Sequence, residues 1–176
     1  MSEDYELMAD WYNMHSDSIQ SYIYMMVRDY QQSEDLTQET FFKAYKKLHT
    51  FHGEASEKTW LFSIAHRTTI DYIRKRKTVF MFKDVSAVDN EGSAGNPETM
   101  FVLKEENVEL LQALDELKPS QKMVIIMRKI KRFSIKETCE ILGWSESKVK
   151  STLHRAILAL EAKMKDRGVT YEEITY

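Results

Sequence analysis

The chain has 176 residues, of which 43% are hydrophobic and 30% are charged. This length and balance are typical of a folded protein with one large domain or two small ones, and they exclude a disordered chain. No segment approaches the roughly 20 apolar residues of a membrane-spanning helix, and the N-terminus lacks the pattern of a secretory signal. The single cysteine, Cys139, cannot form an internal disulfide. We therefore expect a protein of the reducing cytoplasm.

Few glycines and prolines interrupt the chain, and apolar residues recur at three- and four-residue spacing, which predicts an all-α fold. The first helix is expected over residues 6–28 and the second from its N-cap Ser33 to Leu48. Ser56 is expected to cap a third helix that ends in a basic turn, which suits the negative end of the helix dipole.

From Thr78 to Thr99 the helical periodicity fails, and Gly, Ser, Asn, Asp and Pro become frequent. Helical patterns return in "ENVELLQALDEL" and in "QKMVIIMRKI", with Pro119 in a first helical turn. The sequence thus predicts two small helical domains, at residues 1–77 and 101–167, an acidic flexible linker at residues 78–100 and a tail at residues 168–176.

The net charge of -3 hides two basic segments. Residues 67–77 carry five basic residues against one acidic residue, a net charge of +4, and residues 128–155 carry eight against three, a net charge of +5. Local clusters decide polyanion binding more than the total charge does. Both domains therefore present a candidate surface for nucleic acid.

The second basic segment has the capping and turn residues of a helix-turn-helix. Ser134 and Glu137 are spaced as a capping box, Gly143 ends the short helix, and Ser145 is placed to cap the long last helix. Cys139 supplies the small residue that two closely crossing helices need. With Val149 and Leu153 expected to face inwards, the outward face carries Ser147, Lys148, Lys150, Ser151, Thr152, His154 and Arg155. An isolated basic stripe is more often only solvated, but its register with these caps favours DNA binding.

The stretch from "LKPSQKMVIIMRKI" to "GWSESKVKSTLHRA" resembles region 4 of bacterial sigma factors. The earlier stretch "SEDLTQETFFKAYKKLHTFHGEASEKTWLFSIAHRTTIDYIRKRK" resembles region 2 of the extracytoplasmic-function (ECF) group of the sigma-70 family, which keeps only these two regions. The sequence of these stretches is most similar to that of the X-type envelope-stress sigma factors of Bacillus-like bacteria. The resemblance implies an alternative sigma factor that directs promoter-specific transcription initiation.

The resemblance assigns a role to each surface. A stripe that matches the family's D-x-x-Q-E pattern would bind the β′ clamp helices of core RNA polymerase, while Leu36, Phe41, Ala44, Tyr45 and Leu48 favour the core. This polymerase stripe comprises Asp35, Gln38, Glu39 and Phe42. The residues matching the part of region 2 that opens the −10 element and holds an unstacked base are Phe51, His52, Gly53, Ser63, His66, Arg67, Arg74, Lys75, Arg76 and Lys77.

Some interpretations stay open at this point. Trp60 could stack on a base, but its helical spacing with apolar neighbours favours the core. The linker could thread the polymerase's RNA channel or serve as a solvated spacer. Ser63, Arg67, Lys148 and Thr152 depart from common family residues, so no base preference is carried over.

The partners implied by the resemblance are the β′ clamp helices and β flap of core polymerase, promoter DNA, and an anti-sigma factor that could hold the protein at the inner membrane face. A helix-turn-helix regulator acting without polymerase is the alternative. An enzyme is not expected, because the five histidines have no ligand spacing and no catalytic motif occurs. No metal and no cofactor are expected.

Overall fold

The computed structural model describes residues 2–82 and 108–169. All regular structure in these two ranges is helical. The chain divides into two compact units, residues 1–99 and 100–176. The prediction of an all-α fold with two helical domains is confirmed. Most of the predicted linker and of the predicted tail lies outside the described residues. None of the described helices is long and apolar enough to cross a membrane.

Three helices form the first unit, and each packs against the other two. They are α1 (Glu3–Val27), α2 (Tyr30–Lys46) and α3 (Glu57–Phe82), with a 3₁₀ turn at Leu48–Thr50. Their shared core comprises Met8, Trp11, Ile19, Tyr22, Ile23, Met25, Leu36, Phe41, Ala44, Leu61, Phe62, Ile64 and Ala65. Tyr45 was expected in this core, but it is 43% exposed, and Leu48 is only partly buried.

The start of α2 differs from the prediction. Arg28 adopts a left-handed conformation with φ 55°, and Asp29 becomes the N-cap, its carboxylate accepting a hydrogen bond from the Gln32 amide at 3.0 Å. Ser33 therefore lies inside the helix, is fully buried, and donates its hydroxyl proton to the Tyr30 carbonyl at 2.6 Å. The prediction of Ser33 as the cap is wrong, because the sharp turn after α1 lets the carboxylate cap first.

The third helix begins as the sequence predicts and ends later. The Ser56 hydroxyl accepts a hydrogen bond from the Thr59 amide at 3.1 Å, so Ser56 caps α3. The helix then continues to Phe82, beyond Lys77. It therefore covers the first residues of the segment that the sequence assigned to the linker.

The second unit is built around its last helix. It consists of α4 (Val108–Asp115), α5 (Pro119–Ile125), a π-helical turn (Ile126–Ile130), α6 (Ile135–Leu142) and α7 (Glu146–Asp166). The last of these, α7, contacts the three others. Its core cluster comprises Ala113, Leu114, Leu117, Val124, Ile125, Val149, Ala156, Leu160 and Met164.

The helix-turn-helix has the predicted caps. The Glu137 amide donates to the Ser134 hydroxyl at 3.0 Å, and the Ser134 amide donates to the Glu137 carboxylate at 2.7 Å. Gly143 follows with φ 68°, and the Ser145 hydroxyl accepts from the Lys148 amide at 3.2 Å. Cys139 is partly buried and packs against the core cluster of the second unit. These bonds fix where α7 begins and therefore which of its side chains face outwards.

Candidate polymerase and DNA interfaces

The polymerase stripe lies on the outer face of α2. Asp35, Gln38, Glu39 and Phe42 are all exposed, and Phe42 keeps 59% of its surface accessible. The opposite face of the same helix carries the buried side chains Leu36, Phe41 and Ala44. Because residues three and four positions apart share a helix face, the buried set leaves the stripe pointing outwards. An exposed phenylalanine on the same helix face as acidic side chains is typical of a protein interface.

Two lysines accompany the stripe, and the sequence analysis did not include them. The Lys43 ammonium lies 2.6 Å from a Glu39 carboxylate oxygen, and the Lys46 ammonium lies 4.3 Å from the centre of the Phe42 ring. Both lysines follow their partner by four residues, the spacing at which a helix brings side chains together. This spacing was the signal that could have found them. The N-terminal part of the stripe therefore carries the acidic residues Asp35 and Glu39, and Lys43 and Lys46 follow at its C-terminal end.

The loop before α3 is anchored by an aromatic cluster. The ring centre of Phe51 lies 5.2 Å from that of Trp11 and 5.3 Å from that of Trp60. Trp60 is partly buried in this cluster, as the core interpretation favoured. Phe51 is likewise partly buried, so it anchors the loop, whereas His52 and Gly53 are exposed at its tip. Gly53 has φ 74°, a conformation that favours glycine.

The outer face of α3 carries exposed cations. Arg67 and Arg74 are exposed and seven residues apart, which places them on one helical face, and Lys75 and Lys77 are exposed beside them. Arg76 is partly exposed, and its guanidinium lies 5.9 Å from the centre of the Phe80 ring. The cations therefore extend from the middle of the helix to Lys77, and the last turn of α3 carries no basic residue, unlike the basic last turn that the sequence predicts.

Two further residues predicted near the −10 element have limited access to solvent. Ser63 is partly buried and donates its hydroxyl proton to the Trp60 carbonyl at 2.6 Å. His66 is only 8% exposed, so its predicted direct DNA contact is wrong. It lies four residues after buried Phe62 and three before buried Thr69, which puts it on the inner face of α3.

His66 instead joins α3 to α1. Its Nδ1 lies 2.8 Å from the hydroxyl of fully buried Tyr22, and the two side chains share a hydrogen bond. Burial, together with the positive charges of Arg67 and Arg74, lowers the pKa of His66 to about 4. Burial also raises the pKa of the Tyr22 hydroxyl. The imidazole is therefore neutral at physiological pH and acts as a buried polar link beneath the cationic face.

The predicted DNA face of α7 is exposed except at one position. Ser147, Lys148, Lys150, Ser151, His154 and Arg155 are exposed. Thr152 is only 4% exposed, so its predicted outward position is wrong. It lies three residues after Val149 and four before Ala156, both fully buried, and therefore belongs to the inner seam. Leu153 is only partly buried at the edge of that seam.

The cations of this face differ in their contacts. The Lys148 ammonium lies 4.2 Å from the centre of the Trp144 ring, a contact that the sequence analysis missed. Lys150 pairs with Glu146 at 2.6 Å, and its hydrogen bond lowers the pKa of the Glu146 carboxyl. Arg155 makes no ion pair with any described residue. The described residues contain no cluster of acidic, histidine or cysteine side chains that could hold a metal ion.

The order of these surfaces along the chain agrees with comparisons to known families. Sigma-70 region 2 matches residues 11–79, and sigma-70 region 4 matches residues 107–160. Both regions thus occur in the order that the sequence motifs predict, and together they cover most of the chain. The chain belongs to the sigma-70 family.

Relatives narrow the group. The ECF RNA polymerase sigma factor SigX of Bacillus subtilis is 39% identical over 168 residues, which cover 93% of this chain and 85% of the relative. The RNA polymerase sigma factor YlaC of the same species is 37% identical over 161 residues, covering 89% of this chain and 91% of the relative. The chain is therefore an alternative sigma factor of the ECF type, and the comparisons give no support to a regulator that acts without polymerase.

Two solved structures share the fold. The sigma factor RpoE, in complex with the anti-sigma factor NepR from Bartonella quintana, matches with a TM-score of 0.70 at 22% identity, covering 89% of this chain and 96% of that one. CnrH, in complex with the cytosolic domain of CnrY, matches with a TM-score of 0.67 at 19% identity, covering 90% and 88%.

Proposed function

We propose that this sigma factor binds core RNA polymerase through the polymerase stripe of α2, and contacts the −10 and −35 promoter elements through α3 and α7. One observation carries the proposal. In each of the three helices, most of the side chains that the resemblance assigns to a partner face outwards, while their neighbours at three- and four-residue spacing form the core. The polymerase stripe would meet the β′ clamp helices, and the second unit would meet the β flap.

At the −10 element, the exposed cations of α3 and the tip of the preceding loop have separate tasks. Arg67, Arg74, Lys75 and Lys77 are exposed and supply positive charge to the backbone of the opened strand. His52 and Gly53 form the exposed loop tip, where an unstacked base could be held. Phe51, His66 and the partly buried Ser63 have a supporting role, because they fix the loop and the helix that carry these groups.

At the −35 element, the contacts come from the first half of α7. Lys148, Ser151 and Arg155 recur at intervals of three and four residues and are all exposed, so they form one continuous face. Lysine and arginine bind phosphates or guanine edges, and a short hydroxyl allows close approach in the major groove. Lys150 and His154 flank this face, and buried Thr152 supports it.

The proposal also covers regulation and location. The two structural neighbours were solved with anti-sigma factors bound. We infer that this chain too is held inactive by an anti-sigma factor, in the cytoplasm and at the inner membrane face, until an envelope signal releases it. Polymerase itself forms the RNA bonds, so the sigma factor contributes binding and promoter opening without a catalytic group.

Charge reversal tests the polymerase stripe. Asp35→Lys and Glu39→Lys should each abolish or strongly reduce assembly with core polymerase, because each places a cation where the clamp requires an acid. The readouts are co-purification with core polymerase and run-off transcription on a promoter library. Asp166→Lys is the matched control, since it makes the same charge change at an exposed residue at the end of α7.

The outcomes separate the two classes of function. Loss of assembly in the stripe variants but not in the control supports a sigma factor that acts through α2. Full assembly by both stripe variants would contradict the proposed site. A protein that footprints a symmetric operator without core polymerase would contradict the proposed mechanism altogether.

A further inference from the structure

The loop before α6 holds an arginine in an uncommon backbone conformation. Arg132 has φ 59°, and in the described parts of the chain Arg28 is the other non-glycine residue with a positive φ. The left-handed region brings Cβ close to the following carbonyl oxygen and therefore disfavours residues other than glycine, asparagine and aspartate. Such a residue persists only where its surroundings enforce it, and it raises the question of what the side chain does.

The surroundings of Arg132 fix the loop without help from its side chain. On one side, the Lys131 amide donates to the Ile126 carbonyl at 2.8 Å. On the other, the Phe133 amide donates to the Met127 carbonyl at 3.0 Å, and the Phe133 ring is 3% exposed. The Arg128 guanidinium also donates to the Phe133 carbonyl. Glycine would suit this position at least as well, so folding does not explain the arginine.

The Arg132 side chain is exposed, and among the described residues it forms no hydrogen bond or ion pair. Two exposed lysines lie three residues before it and four residues after it, and we call Lys129, Arg132 and Lys136 the loop cations. Glu137 is the nearest acid in the chain, and its carboxylate is engaged by the Ser134 amide at 2.7 Å. The segment therefore presents a guanidinium that forms no ion pair with a described residue, and an exposed lysine stands on either side of it in the sequence.

In a helix-turn-helix, the second helix enters the major groove while the first crosses the sugar-phosphate backbone. Arg132 lies just before α6, the first of these two helices, while Lys136 lies in its first turn and Lys129 in the preceding π-helical turn. We propose that Arg132, flanked by Lys129 and Lys136, binds a backbone phosphate of the −35 duplex. The inference rests on the proposed function, in which α7 reads this element. The contact adds affinity that does not depend on sequence and fixes how deeply α7 can enter the groove.

The experiment measures binding of the assembled holoenzyme to a promoter duplex, chosen by run-off transcription, over a range of salt concentrations. Arg132→Gly removes the charge and keeps the backbone conformation, and Arg132→Lys retains the charge. Arg132→Asn is a second neutral variant that tolerates a left-handed backbone. Lys165→Gln removes one exposed cation at the far end of α7 and is the matched control.

We expect Arg132→Gly and Arg132→Asn to weaken binding roughly three- to tenfold and to reduce the slope of log K against log salt by about 0.9, the value for one phosphate contact. Arg132→Lys should keep the parental slope, as should Lys165→Gln. The thermal midpoint of Arg132→Gly should not fall below that of the parent. Lower affinity without lower stability is a result that a purely structural role does not give.

Parental affinity and slope in both neutral variants would overturn the inference, provided that Lys148→Ala and Arg155→Ala still weaken binding. Loss of core polymerase assembly in Arg132→Gly would also overturn it, because it would place Arg132 at a protein interface. If Lys148→Ala and Arg155→Ala leave promoter binding unchanged, the proposed role of α7 fails instead, whatever the Arg132 variants do.

Discussion

At the level of single residues, the two lysines at the start of α7 show how a neighbour changes what a surface cation can do. Lys150 is paired with Glu146 at 2.6 Å, so the pair must separate before Lys150 can neutralise a phosphate. Lys148 lies on the ring of Trp144 at 4.2 Å, and this contact brings no opposing charge. A cation over an indole gains about 0.5–1 kcal/mol at an exposed site. Trp144 therefore holds Lys148 in place while leaving its charge available to DNA.

Replacement of Trp144 tests this positioning. Trp144→Leu should weaken promoter binding about two- to fivefold, because the loss of about 0.5–1 kcal/mol of cation–π attraction leaves Lys148 mobile. Trp144→Phe should recover part of the loss. The measurement is a double-mutant cycle with Lys148→Ala. If Trp144→Leu has the same effect in the Lys148→Ala background, the two residues are not coupled and the prediction fails.

His66 makes the first unit sensitive to acid. Its folded pKa of about 4 lies below the ordinary value of 6.5, so the unfolded chain binds the proton more readily. The contribution of His66 to stability should be constant above about pH 6.5, fall as the pH drops towards 4, and level off below that, with a total loss of up to about 3 kcal/mol. Urea denaturation across this range in a Trp144→Phe background, followed by the fluorescence of Trp11 and Trp60, measures the effect.

The partner of His66 provides the control for this prediction. Tyr22→Phe removes the hydroxyl that lies 2.8 Å from Nδ1 and should cost about 1 kcal/mol at neutral pH, since a buried nitrogen loses its hydrogen bond. His66→Leu should remove most of the pH dependence between 4 and 6.5. Retention of the parental pH profile in His66→Leu would assign it to other groups.

At the level of helices, the sequence predicts caps well where one candidate stands before a helix and less well where two compete. Ser56, Ser134 and Ser145 cap their helices as expected. At α2, the sequence analysis expected Ser33 and did not consider Asp29, although both residue types favour N-caps. The left-handed turn at Arg28 decides in favour of Asp29. This turn depends on how tightly α1 and α2 pack, which is a tertiary effect that local patterns do not encode.

Alanine substitution at the two candidates distinguishes the observed cap from the expected one. Asp29→Ala should destabilise the first unit by about 1 kcal/mol, because the Gln32 amide loses its acceptor. Ser33→Ala should cost less than half of that, since alanine favours the helix interior and offsets the lost bond to Tyr30. Urea denaturation in a Trp144→Phe background reports the first unit alone. A larger loss in Ser33→Ala would contradict the observed cap.

The sequence predicts which side chains face a partner only as well as it predicts which face of each helix is buried. The outward position of the four stripe residues of α2 was predictable from sequence, because strongly apolar Leu36, Phe41 and Ala44 define the buried face of that helix. Thr152 was placed outwards by its spacing from Lys148, and His66 was assigned to the −10 surface by the family resemblance, whereas the spacing of both to buried neighbours places them inside. Packing against the neighbouring helix decides whether a polar side chain at the edge of a buried helix face points inwards. A single sequence does not show how many positions that buried face includes. The contacts of Trp144 and Arg132 required coordinates.

At the level of the whole molecule, each unit has its own core. The first is built from α1, α2 and α3, and the second has a cluster centred on α7. The −10 candidates all lie in the first unit and the −35 candidates in the second, so each promoter element is assigned to one independently cored body. Damage to one core should therefore affect one promoter contact before the other.

Leu114→Ala tests this separation, since Leu114 is fully buried in the second core. The cavity should destabilise the second unit by about 3 kcal/mol. We expect the part of the unfolding curve that Trp144→Phe abolishes to move to lower urea, while the transition in a Trp144→Phe background, which reports Trp11 and Trp60, stays at its parental midpoint. Core polymerase assembly through α2 should persist, and binding to the −35 element should weaken. A joint shift of both transitions would show that the two cores unfold as one cooperative body, because a cavity in an isolated core has no means of lowering the stability of the other.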